Sequence, residues 1–83
     1  MTQDIRAAVL EALGRVAPEA DLTSIEGDIP LRTQVDIDSI DFLNFIIDLH
    51  RVLGVDVPES DYSALATLDS TVNYLQSRVP RGV

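Results

Sequence analysis

The sequence predicts an all-α fold, a small four-helix bundle of three longer helices and one short helix, with a long loop between helices 1 and 2. Three observations predict it. Apolar residues recur at helical spacing in three separate stretches, no stretch alternates polar and apolar residues as a half-buried strand does, and no proline falls inside any of the three. At 83 residues the chain, 1–83, is expected to form a single domain. A chain of this size buries roughly 60–65% of the surface its unfolded form exposes, so its core is small.

The first helix is expected over residues 2–16. Ile5, Val9, Ala12, Leu13 and Val16 form one apolar stripe, Thr2 or Asp4 can cap the start, and Pro18 stops it. Residues 17–38 hold no period. Pro18, Gly27, Asp28 and Pro30 punctuate them, with Leu22, Ile25, Ile29, Leu31 and Val35 scattered between. So long a connection in a small domain tends to be functional, and its scattered apolar residues predict that it lies against the helices. A second helix is expected over residues 39–53, ended by Gly54 as its C-cap. Pro58, Glu59, Ser60 and Asp61 read as the first turn of a short third helix reaching Leu65, with proline where a missing N–H costs nothing. Thr67 caps a last helix in which Leu68, Val72, Leu75 and Val79 share one face, and Pro80 ends it.

The second helix is apolar on two sides. At 100° per residue, Phe42, Phe45, Ile46, Leu49, Val52 and Leu53 fall on one broad face, expected to be core. Ile40, Leu43 and Ile47 fall on nearly the opposite side, with Asp41, Asn44, Asp48 and Arg51 between them and His50 in the other sector. A bundle helix ordinarily needs one apolar stripe. Either the long loop folds over the narrow one, or it stays exposed and docks partners.

Composition narrows the chemistry. Fourteen acidic residues face six arginines, with no lysine and no cysteine, for a net charge of −8. Disulfides, thiolate metal sites and thiol catalysis by the chain are therefore excluded. The acidic surface is expected to repel nucleic acid and anionic membranes and to suit partners with basic patches. No apolar run approaches the ~20 residues of a membrane span. The start, MTQDIRAAV, lacks a signal peptide's basic and apolar regions. A soluble, cytoplasmic, monomeric protein is expected. With His50 the only histidine, little is at hand for a classical enzyme.

The acidic string DIDSID, residues 36–41, encloses Ser39. An EF-hand loop started at Asp36 would need oxygen ligands where Ile40 and Ile47 stand and glycine where Asp41 stands, so that reading fails. A two-aspartate phosphoryl site would need a larger α/β scaffold and a basic group. Capping accounts for the string directly: Asp38 suits the N-cap, and Asp38-x-x-Asp41 resembles a capping box with a short acid. Asp38 would then present Ser39 in the first turn, where a helix N-terminus favours an anion by ~0.3–1 kcal/mol. The three aspartates oppose that in part, and could instead hold a divalent cation or an arginine brought by a modifying enzyme.

DSI followed by an apolar helix, then VDVPE, then TLDSTVNYL, resembles the acyl carrier protein family, the carriers of fatty acid, polyketide and peptide synthesis. The likeness spans essentially the whole chain. In that family a D-S-L motif bears 4′-phosphopantetheine on its serine at the start of the second helix. The resemblance implies Ser39 as the covalent attachment site and a partner-recognition surface of Asp38, Ile40, Asp41, Leu43, Ile47 and Asp48. It implies as partners a phosphopantetheinyl transferase, an acyl- or aminoacyl-loading ligase or transferase, and a downstream synthase. No catalytic residue and no metal are expected in the chain. Asp36 stands where the family commonly has glycine, Ile40 replaces the commoner leucine, and Asn44, His50 and Arg51 stand where many members carry glutamates. Phe42 and Phe45 add bulk to the core face. These departures point to a specialised carrier rather than a housekeeping fatty-acid carrier, with an interior too full to sequester a long acyl chain. The rival expectation is an unmodified acidic adaptor that docks partners through the narrow stripe of helix 2.

Overall fold

The computed structural model describes residues 4–79. They form helices α1 (Ile5–Val16), α2 (Leu31–Gln34), α3 (Ser39–Leu53) and α4 (Leu68–Gln76), with 3-10 segments at Leu22–Ser24 and Glu59–Leu65. Pro30 and Thr67 make an isolated antiparallel bridge, and the described residues contain no strand. The fold is the expected small all-α one, with α3 as its second long helix and α4 as its last.

Helix ends sit where side chains can satisfy free backbone groups. The Asp4 carboxylate accepts the Ala7 N–H at 3.1 Å and starts α1; Thr2, the other candidate cap, lies outside the described residues. Gly54, at φ 71°, takes the left-handed conformation that closes α3. Thr67 and Ser70 cap α4 reciprocally, each side chain accepting the other's backbone N–H, at 3.0 and 3.2 Å. α4 stops at Gln76, sooner than its apolar period suggests; Val79 lies half-buried in the turn beyond, and Pro80 lies outside the described residues.

α1 packs on both α3 and α4. Val9, Ala12 and Leu13 from α1, Phe45 and Leu49 from α3, Leu68 and Leu75 from α4, and Leu65 from the 3-10 segment before it are fully enclosed. Val52 departs from the expected core face. It lies at that face's edge in the last turn of α3 and is 39% exposed.

The connection between α1 and α3 is more ordered than a stretch without period suggested. Leu31, Val35 and Ile37 enter the core, Leu22 and Ile25 are half-buried, and Ile29 stays exposed. Gln34 ties the connection to itself, donating to the Glu26 and Ile29 carbonyls and accepting the Glu26 N–H. Backbone bonds then fasten its far end beside α4: Leu31 N–H to the Ala66 carbonyl at 2.8 Å, and Asp69 N–H to the Gly27 carbonyl at 3.0 Å. Residues 59–65, expected as an ordinary short helix, are wound as 3-10.

Asp48 corrects a sequence expectation. Placed in a polar sector and assigned to the partner surface, it is 8% exposed. Arg15 of α1 grips its Oδ2 through Nε at 2.7 Å and Nη2 at 2.6 Å, and Arg51 donates to Oδ1. The carboxylate ties α1 to α3 and is spent inside the fold. Burial pushes its pKa up, but the hydrogen bonds and charges of the two arginines outweigh this and hold it below the ordinary 3.8. A depressed folded-state pKa stabilises the fold above the unfolded value and loses that contribution as pH falls through the folded one. Asp48→Asn should therefore cost about 1.5 kcal/mol at pH 7, the low end for a charged hydrogen bond because the Arg15 and Arg51 side chains are 46% and 68% exposed. Its stability should also fall less steeply than that of the wild type below about pH 4. Denaturant melts from pH 2 to 7 check both; parallel curves for the two proteins would refute the assignment.

Candidate attachment and docking site

Ser39 is the first residue of α3 and is exposed. Asp38, in extended backbone at φ −98° and ψ −174°, caps the helix: its Oδ1 accepts the Asp41 N–H at 2.8 Å, and Asp41 Oδ2 accepts the Asp38 N–H at 3.2 Å. The capping box read from the sequence is thus present, short acid included. It fixes the backbone on both sides of Ser39 and leaves the serine hydroxyl engaged by no hydrogen bond among the described residues. Asp38→Ala should cost ~1 kcal/mol by denaturant melt, the usual worth of such a cap; an unchanged midpoint would show that the box contributes nothing.

Asp36, standing where a glycine was to be expected, needs no left-handed backbone. Among the described residues only Gly54 has positive φ. The chain turns around Asp36 through a tight bond from the Ile37 N–H to the Val35 carbonyl, at 3.0 Å. Among the described residues no three His, Asp or Glu side chains gather where a metal could be held.

The loop leaves the narrow stripe of α3 uncovered. Ile40, Leu43 and Ile47 are 70%, 44% and 55% exposed. Beside them, between α3 and the 3-10 segment, lies an open groove of about 610 Å³. Pro30 and Arg32 form one rim, Ser39, Phe42 and Leu43 the α3 side, and Glu59, Tyr62, Ser63 and Ala66 the facing wall. Phe42 also departs from the expected core face. Only Phe45 fills the interior; the Phe42 ring is half-buried, 6.1 Å from Phe45 and edge-on to Tyr62 at 6.3 Å, so it lines the groove. Arg32 and Tyr62 were not singled out from sequence. Arg32 sits in a stretch without period, and only its place seven residues before Ser39 hints at proximity.

Among the described residues no side chain hydrogen-bonds the Ser39 hydroxyl. His50, eleven residues on, is about 16 Å further along the helix axis and has its Nδ1 at 3.2 Å from the Val55 carbonyl. An exposed hydroxyl with no activating partner, at the capped start of a helix bearing a bare apolar stripe, suits being modified and handled by other proteins. This is the architecture of a carrier, a small bundle that holds a group for others to act on.

Known carrier proteins resemble this chain in sequence. The family described as "Phosphopantetheine attachment site" matches residues 3–75. The acyl carrier protein of Lactobacillus johnsonii (strain CNCM I-12250 / La1 / NCC 533) is 33% identical over 57 residues, covering 69% of this chain and 71% of that one. That of Lactobacillus acidophilus (strain ATCC 700396 / NCK56 / N2 / NCFM) is 30% identical over 59 residues, covering 71% and 74%. The chain belongs to the acyl carrier protein family. Its prosthetic group is covalent 4′-phosphopantetheine. The site suits such a group: a free hydroxyl at a helix N-terminus opens onto a groove with apolar walls and one guanidinium. Among the described residues no helix is long and apolar enough to cross a membrane.

Proposed function

We propose that a phosphopantetheinyl transferase moves 4′-phosphopantetheine from coenzyme A to Ser39, the serine oxygen displacing the nucleotide half at phosphorus, and that the chain then passes acyl or aminoacyl groups from a loading ligase or transferase to a downstream synthase. The observation that carries this reading is the exposed, unengaged Ser39 hydroxyl held by the Asp38–Asp41 box. When bound, the arm supplies the terminal thiol that the cysteine-free chain lacks, and holds its cargo as a thioester. The chain's own residues do three things. The cap fixes where the arm leaves the bundle, the free N–H groups of the first turn favour the arm's phosphate, and Ile40, Leu43 and Ile47 offer an apolar docking stripe flanked by Asp38 and Asp41. Tethering raises the effective concentration of cargo at each partner, so the carrier itself needs no catalytic group and is not an enzyme.

The carrier acts as a single monomeric domain in the cytoplasm, with no nucleic-acid partner, and its charge of −8 supports docking to basic rims. Asn44, His50 and Arg51 lower the acidity of α3, which favours a specialised partner set. Intact mass after incubation with coenzyme A and a phosphopantetheinyl transferase tests the reading. One arm's mass should be gained. A wild-type chain that stays at its original mass leaves the adaptor reading in its place.

A further inference from the structure

We propose that Arg32 binds the phosphodiester of the arm on Ser39 and holds the arm's first segment along the groove. This rests on the carrier reading and adds a positioning residue to it. The starting observation is an imbalance of pairing. Among the described residues, Arg6 pairs with Asp69 at 3.7 Å, Arg15 and Arg51 share Asp48, and Arg78 pairs with Asp61 at 3.5 Å. Arg32 has no carboxylate of the described residues within salt-bridge distance, in a chain whose acids outnumber its arginines fourteen to six. It lies on the rim of the groove that Ser39 also lines.

Charge around that groove gives Arg32 its role. Asp36, Asp38 and Asp41 surround Ser39 in sequence, and Glu59 stands on the facing wall. A phosphodiester on the Ser39 oxygen would enter a field of carboxylates in which Arg32 is, among the described residues, the one cation lining the groove. A guanidinium meets two phosphate oxygens at once, which fixes direction as well as distance. The Arg32 backbone is itself held: its neighbour Leu31 is fully buried and donates to the Ala66 carbonyl. Beyond the phosphate, Phe42, Leu43, Tyr62 and Ala66 give the arm's aliphatic portion an apolar bed.

The anion is the arm's own rather than one on the cargo. The phosphodiester is bonded to Ser39 and so must lie at the groove, whereas a group at the far end of an extended arm would clear it.

The test compares apo and holo forms of wild type, Arg32→Gln and Arg32→Lys. Intact mass comes first, so that failure to load, which would overturn the carrier reading and this one with it, is separated from failure of the Arg32 contact. With all three loaded, the holo-minus-apo difference in Tm at low salt should be about 2–4 °C larger for wild type than for Arg32→Gln, as one exposed ion pair in a domain of this size gives. Arg32→Lys should recover part of it, and high salt should erase it. The ³¹P resonance of the holo protein should also move in Arg32→Gln. Equal Tm differences and an unmoved ³¹P resonance in the loaded proteins would overturn the proposal. The apo forms should melt alike, since Arg32 is exposed and pairs with nothing among the described residues.

Discussion

Ser39→Ala is expected to fold as the wild type does, within about 0.5 kcal/mol, and to gain no mass when offered coenzyme A and a transferase. The first part follows from its exposure and from a helix start secured by Asp38 and Asp41, whose reciprocal bonds do not involve the serine hydroxyl. The second follows because the phosphate ester needs an oxygen that alanine lacks. The effect is all or none. Ser24, Ser60, Ser63 and Ser77 are also exposed; the Ser24 and Ser77 hydroxyls donate to Asp21 and to the Tyr74 carbonyl, which leaves Ser60 and Ser63 the readier sites for misplaced modification. A Ser39→Ala protein that still gains an arm would move the attachment site to one of them and sink the proposed role of the α3 start.

The second large effect separates the two sides of α3. Phe45→Ala should cost ~3–5 kcal/mol, because a fully buried ring is removed from a core that cannot collapse around the loss. That is a large share of the ~5–15 kcal/mol a native domain commands. Ile47→Ala should cost less than ~1 kcal/mol, since 55% of Ile47 is already in water. Function should respond in the reverse order: Ile47→Ala slows loading or transfer by a cognate enzyme while the fold persists. Denaturant melts of the two variants, paired with a loading assay, decide it. If Ile47→Ala melts as early as Phe45→Ala, or loads as fast as wild type, the stripe is no docking surface.

The sequence made the long helices legible because their signals are local and repeated. Apolar period marked α1, α3 and α4, and caps such as Asp38, Gly54 and Thr67 marked most of their ends. α2 escaped because four residues give a period no room to appear. Residues 59–65 offered the same proline and acids to an α-helix as to a 3-10 helix, so the winding could not be told apart. Asp48 was misplaced for a different reason. It lies about 60° round the helix from Phe45, and what buries it is Arg15, thirty-three residues back in the chain. A helix wheel contains nothing of that partner. The capping box and the bare stripe were readable from α3 alone, whereas the groove takes its walls from around residues 30, 40 and 60, which only the tertiary fold assembles.

The fastening of the first connection beside α4 divides that connection into two regions of unequal tolerance. Downstream, the Leu31–Ala66 and Asp69–Gly27 backbone bonds and the Pro30–Thr67 bridge join the rim that bears Arg32 to the chain that forms the facing wall. These bonds join rim and wall directly, without passing through α1. Upstream, Pro18 and Glu19 lie exposed in the turn that follows α1, before Asp21 begins to organise Thr23 and Ser24. Extra residues spliced in there lengthen a loop whose closure cost grows by only about 0.6 kcal/mol per doubling. A reporter peptide or a short tether to a second protein can be carried at that turn, on a carrier whose arm site keeps its shape.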